Sequence, residues 1–278
     1  MKFLTEGLSA RLLFNTSRIS SYDVSRKLNP YYYKMTNYDY LTGDYAIDII
    51  NPDEGSEYLI YDPGGKSITA NMYIEAALNY NRDFGKHGVG GLLVYQLRNN
   101  LQPNAGSLQA SLPYRNVGLS GRFTYAYNNR YFAEFNFGYN GSEQFPKGKR
   151  YGFFPSVSLG YVLTNEDFWN RNWWISNLKL RGSYGTVGND ISSSTRFLYL
   201  TTMNMNVSAG YMGKEGNNYM AGIMEGQTGN QNVTWETAKK LNVGFDLGLF
   251  NDVVSLQVDI FKEKRDGILI TRKTVPVL

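Results

Sequence analysis

Apolar and polar residues alternate one for one through roughly nine stretches of this chain, the period-two signature of strands. Val117, Leu119, Gly121, Phe123, Tyr125 and Tyr127 interleave with Gly118, Ser120, Arg122, Thr124, Ala126 and Asn128. The next stretch sets Tyr131, Ala133, Phe135, Phe137 and Tyr139 against Phe132, Glu134, Asn136, Gly138 and Asn140. Side chains on a strand point alternately to opposite faces, so each stretch predicts a ribbon with one apolar and one wet side. Lipid outside and a polar lumen inside would satisfy both faces, as in a membrane-spanning β-barrel.

The other ribbons follow the same rule. Leu8 to Asn15, Ala70 to Asn81, Val89 to Arg98, Phe153 to Thr164, Leu178 to Tyr184, Leu241 to Leu249 and Val254 to Ile260 each alternate. Asn128-Asn129 and Asn251-Asp252 are tight-turn signals, since Asn and Asp tolerate positive backbone angles. From Tyr80 onward the connections are expected to run short and long in turn. The ends at Asp83 to Lys86, Asn128-Asn129, Asn165 to Trp174 and Asn251-Asp252 would be periplasmic, and those near 20 to 67, 99 to 114, 141 to 152 and 187 to 236 extracellular. Within the first long stretch, Tyr45 to Ile50 is expected to pair with Glu57 to Tyr61 as a hairpin. Trp169, Trp173, Trp174, Tyr127 and Tyr131 fall near the short-turn ends, where aromatic girdles sit.

Composition narrows the class. Aromatics are 15% of the 278 residues, with Tyr far ahead of Trp, and Gly outnumbers Pro 29 to 8, a profile of strands and turns. No apolar run is long enough for a spanning helix, whereas alternating strands average to low hydropathy and still cross lipid. With no Cys there are no disulfides or thiolate metal sites. A net charge of +4 spread over the whole chain does not suggest nucleic acid. Met1-Lys2-Phe3-Leu4 is interrupted by Thr5-Glu6-Gly7 before any apolar core, so no export signal is expected there. His87, the single histidine, reads as a solvated turn residue, because a triad or a metal site needs further partners.

Charges fix the orientation of the ribbons. A Lys or Arg on the lipid side at midplane costs about 2–4 kcal/mol, so Lys179, Arg181 and Arg122 should face the lumen, and Glu134 with them. Arg122, Glu134, Asn136, Lys179, Arg181, Asp246 and Asp259 are the candidate inward polar residues, bonding one another, a plug, or cargo. An odd, unclosed set of strands would leave edge groups unpaired in lipid, which points to part of a larger barrel. Two other readings stand beside this one: a soluble carbohydrate-binding β-sandwich, and a small closed barrel with a structural or adhesive role.

Several segments resemble the barrel of SusC/RagA-type TonB-dependent outer-membrane transporters. They are Gly118 to Tyr125 with Arg130 to Glu143, Lys147 to Ser156, Leu178 to Gly185 with Gly188-Asn189-Asp190, and Asp259-Ile260-Phe261 with Arg265 to Leu269. The resemblance implies an all-β fold, an antiparallel transmembrane β-barrel of about 22 strands of which residues 1–278 supply roughly 9–10. On this reading the chain is an internal portion of the barrel domain, without the plug, the TonB-contacting segment or the signal peptide. The family implies import of oligosaccharide or peptide across the outer membrane of a Gram-negative bacterium. Its partners would be outer-membrane lipid, a SusD-like surface lipoprotein and TonB, with no catalysis and no cofactor.

Overall fold

The computed structural model describes residues 5–170, 174–190, 196–212 and 218–270, together with Lys214 and Gly216. The expectations placed on residues 1–4 and on Trp173 lie outside these. In chain order the strands are β1 (Leu8–Tyr22), β2 (Ser25–Lys27), β3 (Tyr33–Tyr38), β4 (Tyr45–Ile49), β5 (Ile60–Asp62), β6 (Lys66–Phe84), β7 (His87–Leu101) and β8 (Tyr114–Tyr127). They continue as β9 (Tyr131–Ser142), β10 (Tyr151–Val162), β11 (Ile175–Asn189), β12 (Met203–Met212), β13 (Asn218–Glu225), β14 (Glu236–Leu249) and β15 (Val254–Asp266).

The alternating ribbons become one nine-stranded sheet in the order β1-β6-β7-β8-β9-β10-β11-β14-β15. Every pairing from β7 through β15 is antiparallel. The sheet is open, with β1 and β15 at its edges, so this chain alone is not a small closed barrel.

Register keeps the two faces distinct across strands. Phe123 stands opposite Phe135, Phe135 opposite Val157, Val157 opposite Tyr184 and Tyr184 opposite Leu241, one row on one face. That row is open to its surroundings: Phe123 is 52% exposed, Phe135 39% and Val243, farther along the same face, 56%. Among the described residues no second layer covers it, which runs against the β-sandwich reading, because a sandwich buries one face of each sheet against the other.

Tight turns form where the sequence supplies residues that accept left-handed angles. Asn128 and Asn129 have φ of 51° and 53°, and Arg130 N donates to Tyr127 O at 2.9 Å. The mirror-image turn this makes matches the twist of its flanking strands. At Phe250, Asn251 and Asp252 three consecutive residues have positive φ. Ser176 Oγ donates to Asp252 Oδ1 at 2.7 Å and accepts from Asp252 N at 3.0 Å, holding that turn.

Three expectations need correction. Tyr45–Ile49 pairs with Tyr33–Tyr38, while Ile60–Asp62 pairs with Ser25–Lys27, so the expected partner of Tyr45 to Ile50 is the wrong one. The polar stretch 187–236 contains the β12–β13 hairpin, whose strands carry bulges that break strict alternation. Connection 163–174 is longer than 143–150, so short and long loops do not alternate strictly, although successive connections still fall at opposite ends of the sheet.

Residues 18–70 and 102–111 form a second compact unit. Its loops are pinned by side chains: Asn51 accepts from Tyr32 N at 2.7 Å and donates to Pro30 O at 3.0 Å. The Asp39 carboxylate accepts from Leu41 N at 2.8 Å, which holds its pKa below the ordinary value.

Among the described residues the buried apolar side chains are Phe145, Phe197, Val233 and Trp235. All lie in connections 143–150 and 190–235, none in the sheet. Phe145 and Trp235 rings meet at 5.1 Å, and Phe154 at the end of β10 meets Trp235 edge-on at 5.2 Å. Polar groups close the cluster: Trp235 Nε1 donates to Arg150 O at 3.2 Å, and Lys149 Nζ to Gln231 O at 3.0 Å.

Candidate functional site

The polar face of the nine-stranded sheet gathers all seven residues singled out from the sequence, in two ion-paired clusters and one separate cation. In the first, Arg122 Nε donates to Asn136 Oδ1 at 3.1 Å and lies 3.6 Å from Glu134 Oε1. Asn136 Nδ2 donates to the same Glu134 oxygen at 2.7 Å, closing a triangle over β8 and β9. In the second, Arg181 Nε donates to Asp246 Oδ1 at 3.1 Å and Nη2 to Asp259 Oδ2 at 2.6 Å.

That double contact has a backbone cause. Gly244 stands between Arg181 and Asp259 in the register, and a methyl there would lie 2.6 Å from Asp259 Oδ1. Glycine leaves the path along which the guanidinium crosses β14. The neighbouring Lys179 crosses the sheet beside Gly160, which pairs with Phe132 and Arg181. The Lys179 ammonium rests 5.6 Å from the centre of the Phe132 ring, within cation–π reach.

Glu134, Lys179 and Arg181 line a groove of about 990 Å³ on this face, with Thr124, Ser158 and Asn242. Asn242 Oδ1 is buried without a hydrogen-bond partner among the described residues. Arg122, Asn136, Asp246 and Asp259 flank the groove through their partners rather than lining it. The arrangement offers charges and amides to a polar occupant; no cluster of metal-ligand type occurs among the described residues.

The opposite face carries two aromatic belts. At one end Tyr127 stacks with Tyr131 and Tyr131 with Tyr161, and at the other Tyr139 stacks on Tyr151 at 5.3 Å. Tyr131 and Tyr139 stand about 26 Å apart along β9 at roughly 3.3 Å per residue. On a strand tilted about 40° that is roughly 20 Å of depth, close to the apolar band of a membrane barrel. Of the Trp residues expected in the belt, Trp174 is exposed and packs 6.4 Å from Phe250. His87 joins the same end, Nδ1 2.7 Å from Tyr125 Oη, which makes it a belt residue.

Two constellations were not legible in advance. Arg130 in the β8–β9 turn pairs with Glu166 at 3.0 Å and with Asp167, while Tyr131 Oη donates to Glu166 at 2.7 Å. The Arg130 guanidinium holds the Asp167 carboxyl below its ordinary pKa. The second joins Arg11 and Tyr73 on Glu75. Arg130 and Glu166 are 36 positions apart and Arg11 and Glu75 are 64 apart, so no local pattern announces either pair.

Comparison with known proteins agrees with this geometry. The chain is 29% identical over 229 residues to TonB-dependent receptor P3 of Formosa agariphila, covering 73% of this chain and 22% of that protein. It is 32% identical over 181 residues to TonB-dependent receptor SusC of Bacteroides thetaiotaomicron, covering 63% of this chain and 18% of SusC. Among solved structures, the RagAB peptide transporter superposes with a TM-score of 0.63 at 18% identity, over 95% of this chain and 28% of the other. The chain therefore spans about a fifth of the length of these curated relatives. Residues 3–278 match the family described as TonB dependent receptor-like, beta-barrel, and the chain belongs to that family.

Proposed function

We propose that this chain forms part of the wall of an outer-membrane, TonB-dependent nutrient importer in a Gram-negative bacterium. The observation that carries the reading is the sorting of the sheet: an exposed apolar face between two aromatic belts, backed by a face of ion pairs and amides. In lipid and around a wet lumen, both faces are satisfied. The unpartnered Asn242 Oδ1 and the groove beside Lys179 and Arg181 support a polar occupant of the lumen, either a plug domain or passing cargo. Arg122, Glu134, Asn136, Asp246 and Asp259 then stiffen the wall around it. The role is transport rather than catalysis.

Similarity to SusC and to a peptide transporter supports oligosaccharide or peptide as cargo, with a SusD-like lipoprotein at the outer surface. The test is fractionation of the full-length protein that carries this segment. Recovery in outer membranes, with migration that shifts on heating, is expected. Recovery as a soluble periplasmic protein overturns the proposal.

A further inference from the structure

The ends of β14 and β15 beyond the apolar rows sort their charges by face. On the polar face Lys240 meets Glu263 at 3.5 Å, and Arg265 pairs with Glu263 and, at 4.0 Å, with Glu236. On the apolar face the row Leu249, Leu247, Phe245, Val243, Leu241 runs on into Lys239, and Leu256, Val258, Ile260 run on into Lys262 and Lys264. Lys239 stands directly opposite Lys264, a juxtaposition that destabilises a sheet unless something negative lies between. Asp266, 3.8 Å from both, is shared by the two, and Lys262 forms no ion pair among the described residues. All three lysines are exposed.

We propose that Lys239, Lys262 and Lys264 bind the phosphorylated head group of a glycolipid in the outer leaflet, an inference that rests on the outer-membrane reading above. Position along the strands supports it: the lysines begin where the apolar rows of β14 and β15 end, at the ends away from the turn at Asn251-Asp252. Direction supports it too, because they share the face that Val243 and Ile260 present to lipid. Charge selects the ligand. Lys239 and Lys264 are directly opposed, about 5 Å apart at Cβ, and Lys262 follows about 7 Å along β15; three cations this close with one carboxylate among them suit a phosphate-bearing head group and not a zwitterionic one. Their alkyl stems lie along the apolar row while the charges reach the head-group layer.

The test uses the full-length protein purified in detergent from outer membranes. It is titrated with diphosphorylated lipid A and with dephosphorylated lipid A, and bound lipid is counted by native mass spectrometry. The wild type should prefer the diphosphorylated form by about tenfold or more, and K239Q/K262Q/K264Q should lose that preference. K239R/K262R/K264R and, on the opposite face, K240Q should keep it. Heat-shifted migration verifies folding; should the triple glutamine variant misfold, Lys262→Gln alone should weaken binding about fivefold. Equal binding of both lipids by the wild type, or undiminished binding by a folded glutamine variant, overturns the site while leaving the barrel intact. Absence of the protein from outer membranes overturns both readings.

Discussion

The nine-stranded sheet and the cluster around Trp235 obey opposite rules within one chain. In the sheet, Phe135 and Val243 stand exposed on the apolar face, while Arg181 with its two aspartates occupies the other. In the connections, Phe145, Val233 and Trp235 are buried and Lys149 caps them from outside, as in any water-soluble protein. Side chains are sorted by the solvent each region meets, and the same residue types take opposite positions a few strand residues apart. Phe154, on β10 yet packed on Trp235, marks where one regime passes into the other.

Breaking each regime separately should sharpen this contrast. Trp235→Ala should cost the loop cluster about 3–5 kcal/mol. Proteolysis between residues 196 and 235 should then become rapid, while heat-shifted migration of the full-length protein is unchanged; loss of the barrel as well would show that the regions are not independent. Phe135→Arg, midway between the belts, should destabilise the protein in lipid by about 2–4 kcal/mol, measured by urea titration in vesicles. Ser158→Arg on the other face of the neighbouring strand should have little effect, and equal effects would reverse the assigned faces.

Smaller effects are expected at the ion pairs. Arg181→Ala strands Asp246 and Asp259, but solvent reaches all three, so the expected loss in the same titration is small, well below that of Phe135→Arg. The pair of Arg130 with Asp167 should show in pH dependence. Because the folded protein holds the Asp167 pKa below its unfolded value, its contribution is complete above the ordinary carboxylate range and disappears as pH falls through the lowered value. Asp167→Asn should flatten that acid-side slope, and an unchanged slope would assign it to other carboxylates.

Much of the wall could be read directly from the residues. Alternation is local, so the ribbon at Val117 to Tyr127 and its partner from Tyr131 emerged together with the Asn128-Asn129 turn between them. The shared face of the seven candidate polar residues was legible because strict alternation assigns every second residue of a strand to the same side. The β12–β13 hairpin was missed because its bulges interrupt the period, and β3–β4 was mispaired because strand partners in a Tyr-rich loop leave no local mark. The Trp235 cluster was illegible for a related reason: Phe145 and Trp235 are single apolar residues in polar stretches, and their contact is set by folding of two distant connections. Lys239, Lys262 and Lys264 were present as ordinary charges until register put them on one face.

The gap left by Gly244 has a mechanical consequence. Through it, one guanidinium on β11 fastens both β14 and β15, so three strands are tied by side chains in addition to their ladders. A pull on the polar face at any one of these strands would be shared by all three instead of prying open a single seam.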